Sequence, residues 1–179
     1  MIETIIGVDS STKTGVTIFD LDNELLLDTK LLHFKEEKGF KRLQLIANAF
    51  GSLLDKYTPK VIYIENYGFG NKFTLVPLTE IGTVLRMEAF KRGIEFKEVP
   101  PTSLKMYATG NGVAKKPDMM AAAKERFNFE SNSDDIVDSY WLTRMGIAIE
   151  KGRERLPSEV TKEKKAAKKL KAKAKKVKK

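Results

Sequence analysis

Ile5-Ile6-Gly7-Val8-Asp9-Ser10-Ser11-Thr12-Lys13-Thr14-Gly15-Val16-Thr17-Ile18 decides how the rest of the chain is read. Two short apolar runs flank a turn of small polar residues, the signature of two core strands joined by a tight connection. Asp9 falls where the first strand ends, so its carboxylate is held at the rim of a sheet beside a turn open to a ligand. An Asp at that position also caps turns through its own backbone. Its meaning therefore depends on what else reaches the same rim.

Outward from this stretch, Asp22-Asn23 marks a hairpin turn, and a third strand is expected over about residues 24–34. The three strands should form an antiparallel meander. Residues 39–57 carry Leu43, Ile46, Ala47, Phe50, Leu53 and Leu54 at helical spacing, and Thr58-Pro59 closes that helix. Val61-Ile62-Tyr63-Ile64 is a compact strand that ends on Glu65, an acid, as the first strand does. The loop Tyr67-Gly68-Phe69-Gly70-Asn71 follows, then a long helix over about residues 75–92, with Pro77 expected in its first turn. A fifth strand spans about 94–99. Short helices are expected over about 102–108, capped by Thr102, and 118–127, and a last helix over 135–150, capped by Ser133 or Asp134. The order β-β-β-α-β-α-β-α-α-α implies an α/β fold. Its five-stranded mixed sheet has three antiparallel strands and two parallel ones, flanked by helices.

The 33 basic residues are unevenly placed. Residues 161–179 hold 11 Lys and one Glu, which leaves 22 basic against 23 acidic residues in the remainder. The chain thus divides into a near-neutral domain, residues 1–155, and a Lys-rich tail, residues 156–179, expected to be disordered and attracted to phosphate. No run approaches the ~18 apolar residues of a membrane span. Met1-Ile2-Glu3-Thr4 has no signal-peptide pattern, so a cytoplasmic setting is expected. With no Cys and only His33, thiolate catalysis and Cys- or His-built metal sites are excluded. A metal site in this chain must be made of oxygen, which favours Mg²⁺ or Mn²⁺ over zinc.

Such a set of oxygens is present. If the first and fourth strands are parallel neighbours, Asp9 and Glu65 meet at one sheet end, the end where ligands bind in parallel sheets. Asp135 and Asp138, three apart on the last helix, share a face. Acids at a helix start also suit the helix dipole, which accounts for Asp134 better than for Asp138, set in an apolar stretch. Converging carboxylates repel unless cations hold them, and a pair of Mg²⁺ ions in such a site is a known device for phosphodiester hydrolysis.

Four stretches carry a family resemblance: Gly7-Val8-Asp9-Ser10-Ser11-Thr12-Lys13-Thr14-Gly15, Ile64-Glu65-Asn66-Tyr67-Gly68-Phe69, Pro100-Pro101-Thr102-Ser103-Leu104-Lys105, and Asp134-Asp135-Ile136-Val137-Asp138-Ser139-Tyr140-Trp141-Leu142. Together, over residues 1–150, they resemble the RuvC-type Holliday junction resolvases of the RNase H-like superfamily. The resemblance implies that Asp9, Glu65, Asp135 and Asp138 are the catalytic, metal-binding tetrad. It also implies two Mg²⁺ ions, replaceable by Mn²⁺, and paired nicking of four-way DNA junctions by a homodimer joined through the helix 75–92. Lys13, Tyr67, Phe69, Lys105, Lys115 and Lys116 are its DNA-binding candidates, the two aromatics as wedges at the junction centre. The Lys tail departs from bacterial members and fits a compact phage or viral one. Three other readings remain open: a nuclease for flaps and forks, a non-catalytic nucleic-acid binder on the same scaffold, and an actin-like ATPase or sugar kinase. The last needs a second domain that this length does not hold.

Overall fold

The computed structural model describes residues 2–66 and 72–157, with side chains at 72–74 excepted. Tyr67, Phe69 and the Lys-rich tail beyond 157 lie outside the described residues. The elements are β1 (Thr4–Asp9), β2 (Thr14–Asp20), β3 (Leu26–Leu32), α1 (Gly39–Tyr57), β4 (Val61–Glu65), α2 (Lys72–Lys91), β5 (Glu95–Val99), α3 (Pro101–Thr109), α4 (Lys116–Phe127) and α5 (Asp134–Glu150). They form one sheet in the order β3-β2-β1-β4-β5. β1 pairs antiparallel with β2, and β2 with β3. β4 runs parallel to β1, and β5 parallel to β4. This is the expected mixed sheet.

Period-2 alternation sends successive side chains to opposite faces. Ile5, Phe19, Val61 and Tyr63 enter a core with α3, α4 and α5. Ile6, Val8, Val16, Ile18, Ile62 and Ile64 enter a second core with α1 and α2. The sheet is the middle of three layers, and both strands of the opening stretch are buried throughout.

Helix α5 lies closest to the sheet, because two glycines admit it. A Cβ on Gly7 would sit 2.3 Å from the Ser139 carbonyl oxygen, and one on Gly15 would sit 2.0 Å from that of Asp135. A polar seam then joins the surfaces. The hydroxyls of Thr17 and Ser139 are 2.7 Å apart, and the Thr143 hydroxyl donates to the Thr17 carbonyl oxygen at 3.2 Å. Trp141 is fully buried, its indole N–H donating to the Met119 carbonyl at 3.1 Å.

Three local expectations need correction. Helix α2 starts at Lys72, so Pro77 lies in its second turn. There it leaves one carbonyl without its helical donor. Helix α3 is not capped by Thr102: Pro100 is the N-cap and Pro101 opens the helix, a position where the missing N–H is harmless. Strand β3 starts later than read, at Leu26. The Asp20 side chain accepts from the backbone N–H of Asp22 and Asn23, and Glu24 takes a left-handed φ of 56°, which delays pairing.

Candidate active site

Asp9 is the last residue of β1 and Glu65 the last of β4. Val8 pairs with Ile64, so the two acids follow side by side at the carboxyl ends of parallel strands. Alternation turns both toward α5, the face of Ile5, Gly7 and Tyr63. Asp135 and Asp138 come from the first two turns of α5. Asp9 and Asp135 are buried, with 6% and 8% exposure.

The four acids form one electrostatic unit. Burial holds the Asp9 carboxyl well above its ordinary range, and Glu65, Asp138 and Asp135 push it the same way. Burial and then Asp138 raise Glu65 to about 7, while Lys105 and a hydrogen bond with Asp9 pull it back. Burial raises Asp138 to about 6 against the opposing charges of Lys116 and Lys105. A hydrogen bond between two carboxyls requires a proton, which Asp9 and Glu65 share.

Among the described residues, no three His, Asp or Glu side chains stand at metal-ligating spacing. Asp135 is itself engaged by two serines. Its two oxygens accept from Ser11 Oγ at 2.8 Å and Ser133 Oγ at 3.3 Å, which turn it toward the β1–β2 connection. The donor set still fits a hard divalent ion, since it is all oxygen and its anionic form lacks enough compensating charge. Ion binding and loss of the shared proton are then coupled.

The lysine candidates separate. Lys105 on α3 and Lys116 at the start of α4 both act on the acids, and Lys116 is also paired with Asp134. Lys13, in the β1–β2 turn, and Lys115, before α4, are exposed and do not figure among the charges that shift the acids. Asp118 accepts from the Lys115 backbone N–H, giving that residue a part in starting α4. Ser11 and Ser133 were not legible as site residues, since serines in turns are ordinary. Gly15 was quoted for its turn, but its contact with Asp135 has no local signal.

The raised acids make the metal-free fold sensitive to pH. Between the ordinary carboxylate range and about 7, the folded chain keeps protons that the unfolded chain has released. Stability therefore falls as pH rises through that window. In EDTA, the melting temperature is expected to drop from pH 5 to pH 8, and the Asp138→Asn protein to show a shallower drop. A metal-free melting temperature that climbs over this range in both proteins would contradict the coupling.

The RuvC family profile, described as crossover junction endodeoxyribonuclease RuvC, matches residues 5–143. The chain belongs to the RuvC family. Among RuvC proteins, that of Prochlorococcus marinus strain NATL2A is 26% identical over 151 residues, covering 81% of this chain and 98% of the relative. That of Prochlorococcus marinus subsp. pastoris is 28% identical over 142 residues, covering 75% and 90%. The solved structure of Thermus thermophilus RuvC superposes with a TM-score of 0.70 at 14% identity, covering 84% of this chain and 97% of that one. The same protein in complex with Holliday junction substrate gives 0.71 at 13% identity, with the same coverage. Fowlpox virus resolvase, solved with its junction DNA, gives 0.55 at 16% identity, covering 80% and 96%. At these identities the solved structures speak for the fold, which is that of the RuvC and RNase H-like resolvases.

Proposed function

We propose that this RuvC-family endodeoxyribonuclease resolves four-way DNA junctions by paired symmetric nicks, with Asp9, Glu65, Asp135 and Asp138 as its catalytic metal ligands. The observation that carries the reading is the convergence of four carboxylates, from β1, β4 and α5, on one sheet end with three of them held above their ordinary range. A fold gains nothing from such repulsion, and a surface that only bound phosphate would be weakened by it. Bound Mg²⁺, or Mn²⁺ in its place, would supply an activated water and charge stabilisation for the leaving oxygen. The protein's own residues do the rest. Ser11 and Ser133 orient Asp135, Asp9 and Glu65 hold and release a proton, and Lys105 and Lys116 draw the phosphodiester toward the acids.

Symmetric nicking calls for two sites, and we assign the dimer contact to the outer face of α2. Leu75, Val76, Met87 and Phe90 lie exposed there, Val76 at 62% and Phe90 at 75%. Exposed apolar patches of this kind mark association surfaces. Lys13 and Lys115 serve as outlying phosphate contacts. Tyr67 and Phe69 remain the wedge candidates from the sequence. The Lys tail supplies attraction to DNA that is indifferent to sequence. Its removal, by truncation before Thr161, is expected to weaken junction binding about tenfold or more and to flatten the dependence on salt, each phosphate contact contributing a slope of about 0.9. An unchanged slope would make the tail irrelevant to DNA.

The deciding assay sets a synthetic four-way junction beside a matched linear duplex and a flap, with Mg²⁺ and with EDTA. Metal-dependent symmetric nicks in the junction alone are expected. Equal cutting of the flap would mean a general branched-DNA nuclease, and binding without cutting would mean a non-catalytic role.

A further inference from the structure

Phe40 is 89% exposed, more than any other large apolar side chain described. It stands one turn before Leu43, where the apolar stripe of α1 runs beyond the core that buries Leu43, Ile46 and Phe50. Phe34 packs against that core and anchors the β3–α1 connection, so Phe40 projects from a fixed base.

Its position follows from the register. Asp9 pairs with Gly15, and Gly15 with Leu31. With neighbouring strands about 4.8 Å apart, the end of β3 lies roughly 10 Å from Asp9 across the sheet. β3 runs in the direction of β1, so its carboxyl end and the start of α1 share the rim that carries the acids, on the opposite layer from α5. Lys13 lies in the turn between them, and Lys35 and Lys38 lie in the connection itself. All three are exposed, without a carboxylate partner among the described residues. Glu36 and Glu37 interrupt this basic run, Glu37 being paired with Lys41 at 2.8 Å. The first turn of α1 holds no acid.

We infer that the rim formed by Lys13, Lys35, Lys38 and Phe40 is a second DNA-contacting surface, in which Phe40 stacks on an unpaired or splayed base of the branched substrate. This rests on the junction-resolving reading above. An exposed aromatic between lysines is the arrangement that holds single-stranded nucleic acid, the ring taking a base and the ammonium groups the backbone. Its occupant is a DNA strand of the substrate whose phosphate is cut at Asp9. The charges match, and the same rim of the sheet carries Asp9.

The test uses full-length protein in EDTA, where cutting is suppressed. It measures anisotropy with a four-way junction and with a linear duplex, and the fluorescence of 2-aminopurine placed beside the crossover. Phe40→Ala is expected to weaken junction binding about tenfold, to change duplex binding less than twofold, and to lose the 2-aminopurine response. Phe40→Trp should restore all three, and Lys38→Ala should lower the salt slope by about 1. Sedimentation checks the assembly. A Phe40→Ala protein that binds the junction as wild type does would overturn the inference while leaving the resolvase reading standing. So would one that turns from dimer to monomer, since the ring would then pack between copies of the chain. Wild-type protein that ignores the junction altogether would instead remove the resolvase reading.

Discussion

Asp9→Asn is expected to lower junction cleavage by about three orders of magnitude or more, on the order of 4 kcal/mol of transition-state stabilisation, while junction binding stays unchanged or tightens. Asp9 is buried at the centre of the acid cluster, and Glu65, Asp138 and Asp135 all bear on it. An amide there keeps the shape and removes the oxygen charge that a divalent ion requires. It also removes repulsion, so the metal-free protein should melt higher at pH 8 than wild type does. Gel assays of cleavage, anisotropy in EDTA and a thermal melt read the three effects separately. Near-normal cutting by the variant would take Asp9 out of the site. A lower melt would mean that its role is structural.

Gly15→Ala should fail for a different reason. The added Cβ would stand 2.0 Å from the carbonyl oxygen and 2.5 Å from the carbonyl carbon of Asp135. Both are backbone atoms, so no side-chain rotation relieves the clash. Either α5 lifts or β2 retreats, at a cost of about 1–3 kcal/mol typical of overpacked cores. The displaced part carries Asp135 and Asp138. A misplacement near 1 Å costs on the order of a hundredfold in rate, so cleavage should fall at least that far even in the fraction that folds. Gly93→Ala is the control. It has a left-handed φ of 66° but open space around it, and sits at the far end of the sheet. It should cost about 1 kcal/mol and leave cleavage intact. Equal loss of activity in both variants would show that stability alone is being read.

Much of the fold is written in local pattern. The two buried runs around Ser10–Thr14, the helical spacing of Leu43 to Leu54 and the compact run before Glu65 each name their element. Helix α5 is harder to read, because it is buried nearly all round, Ser139 and Thr143 included. Those hydroxyls look suited to solvent. They are inside because Gly7 and Gly15 remove the side chains that would hold the helix off. The sequence placed that helix correctly but not the starts of α2 and α3. Pro77 and Thr102 are each compatible with a first turn or a cap, and tertiary packing chose otherwise.

The sequence by itself determined the order of the strands and helices, the acid at each of two strand ends, the pair of aspartates on one helix, and an oxygen-only donor set. These depend on residues close together in the chain, where pattern and period act. The tertiary structure decided which charges meet. It joined Asp135 to Ser11 across 124 positions. It brought Lys105 and Lys116, but not Lys13 or Lys115, to bear on the acids, and set Phe40 on the same rim as Asp9. Electrostatic and steric forces act through space, and a folded chain makes neighbours of residues that no local pattern links.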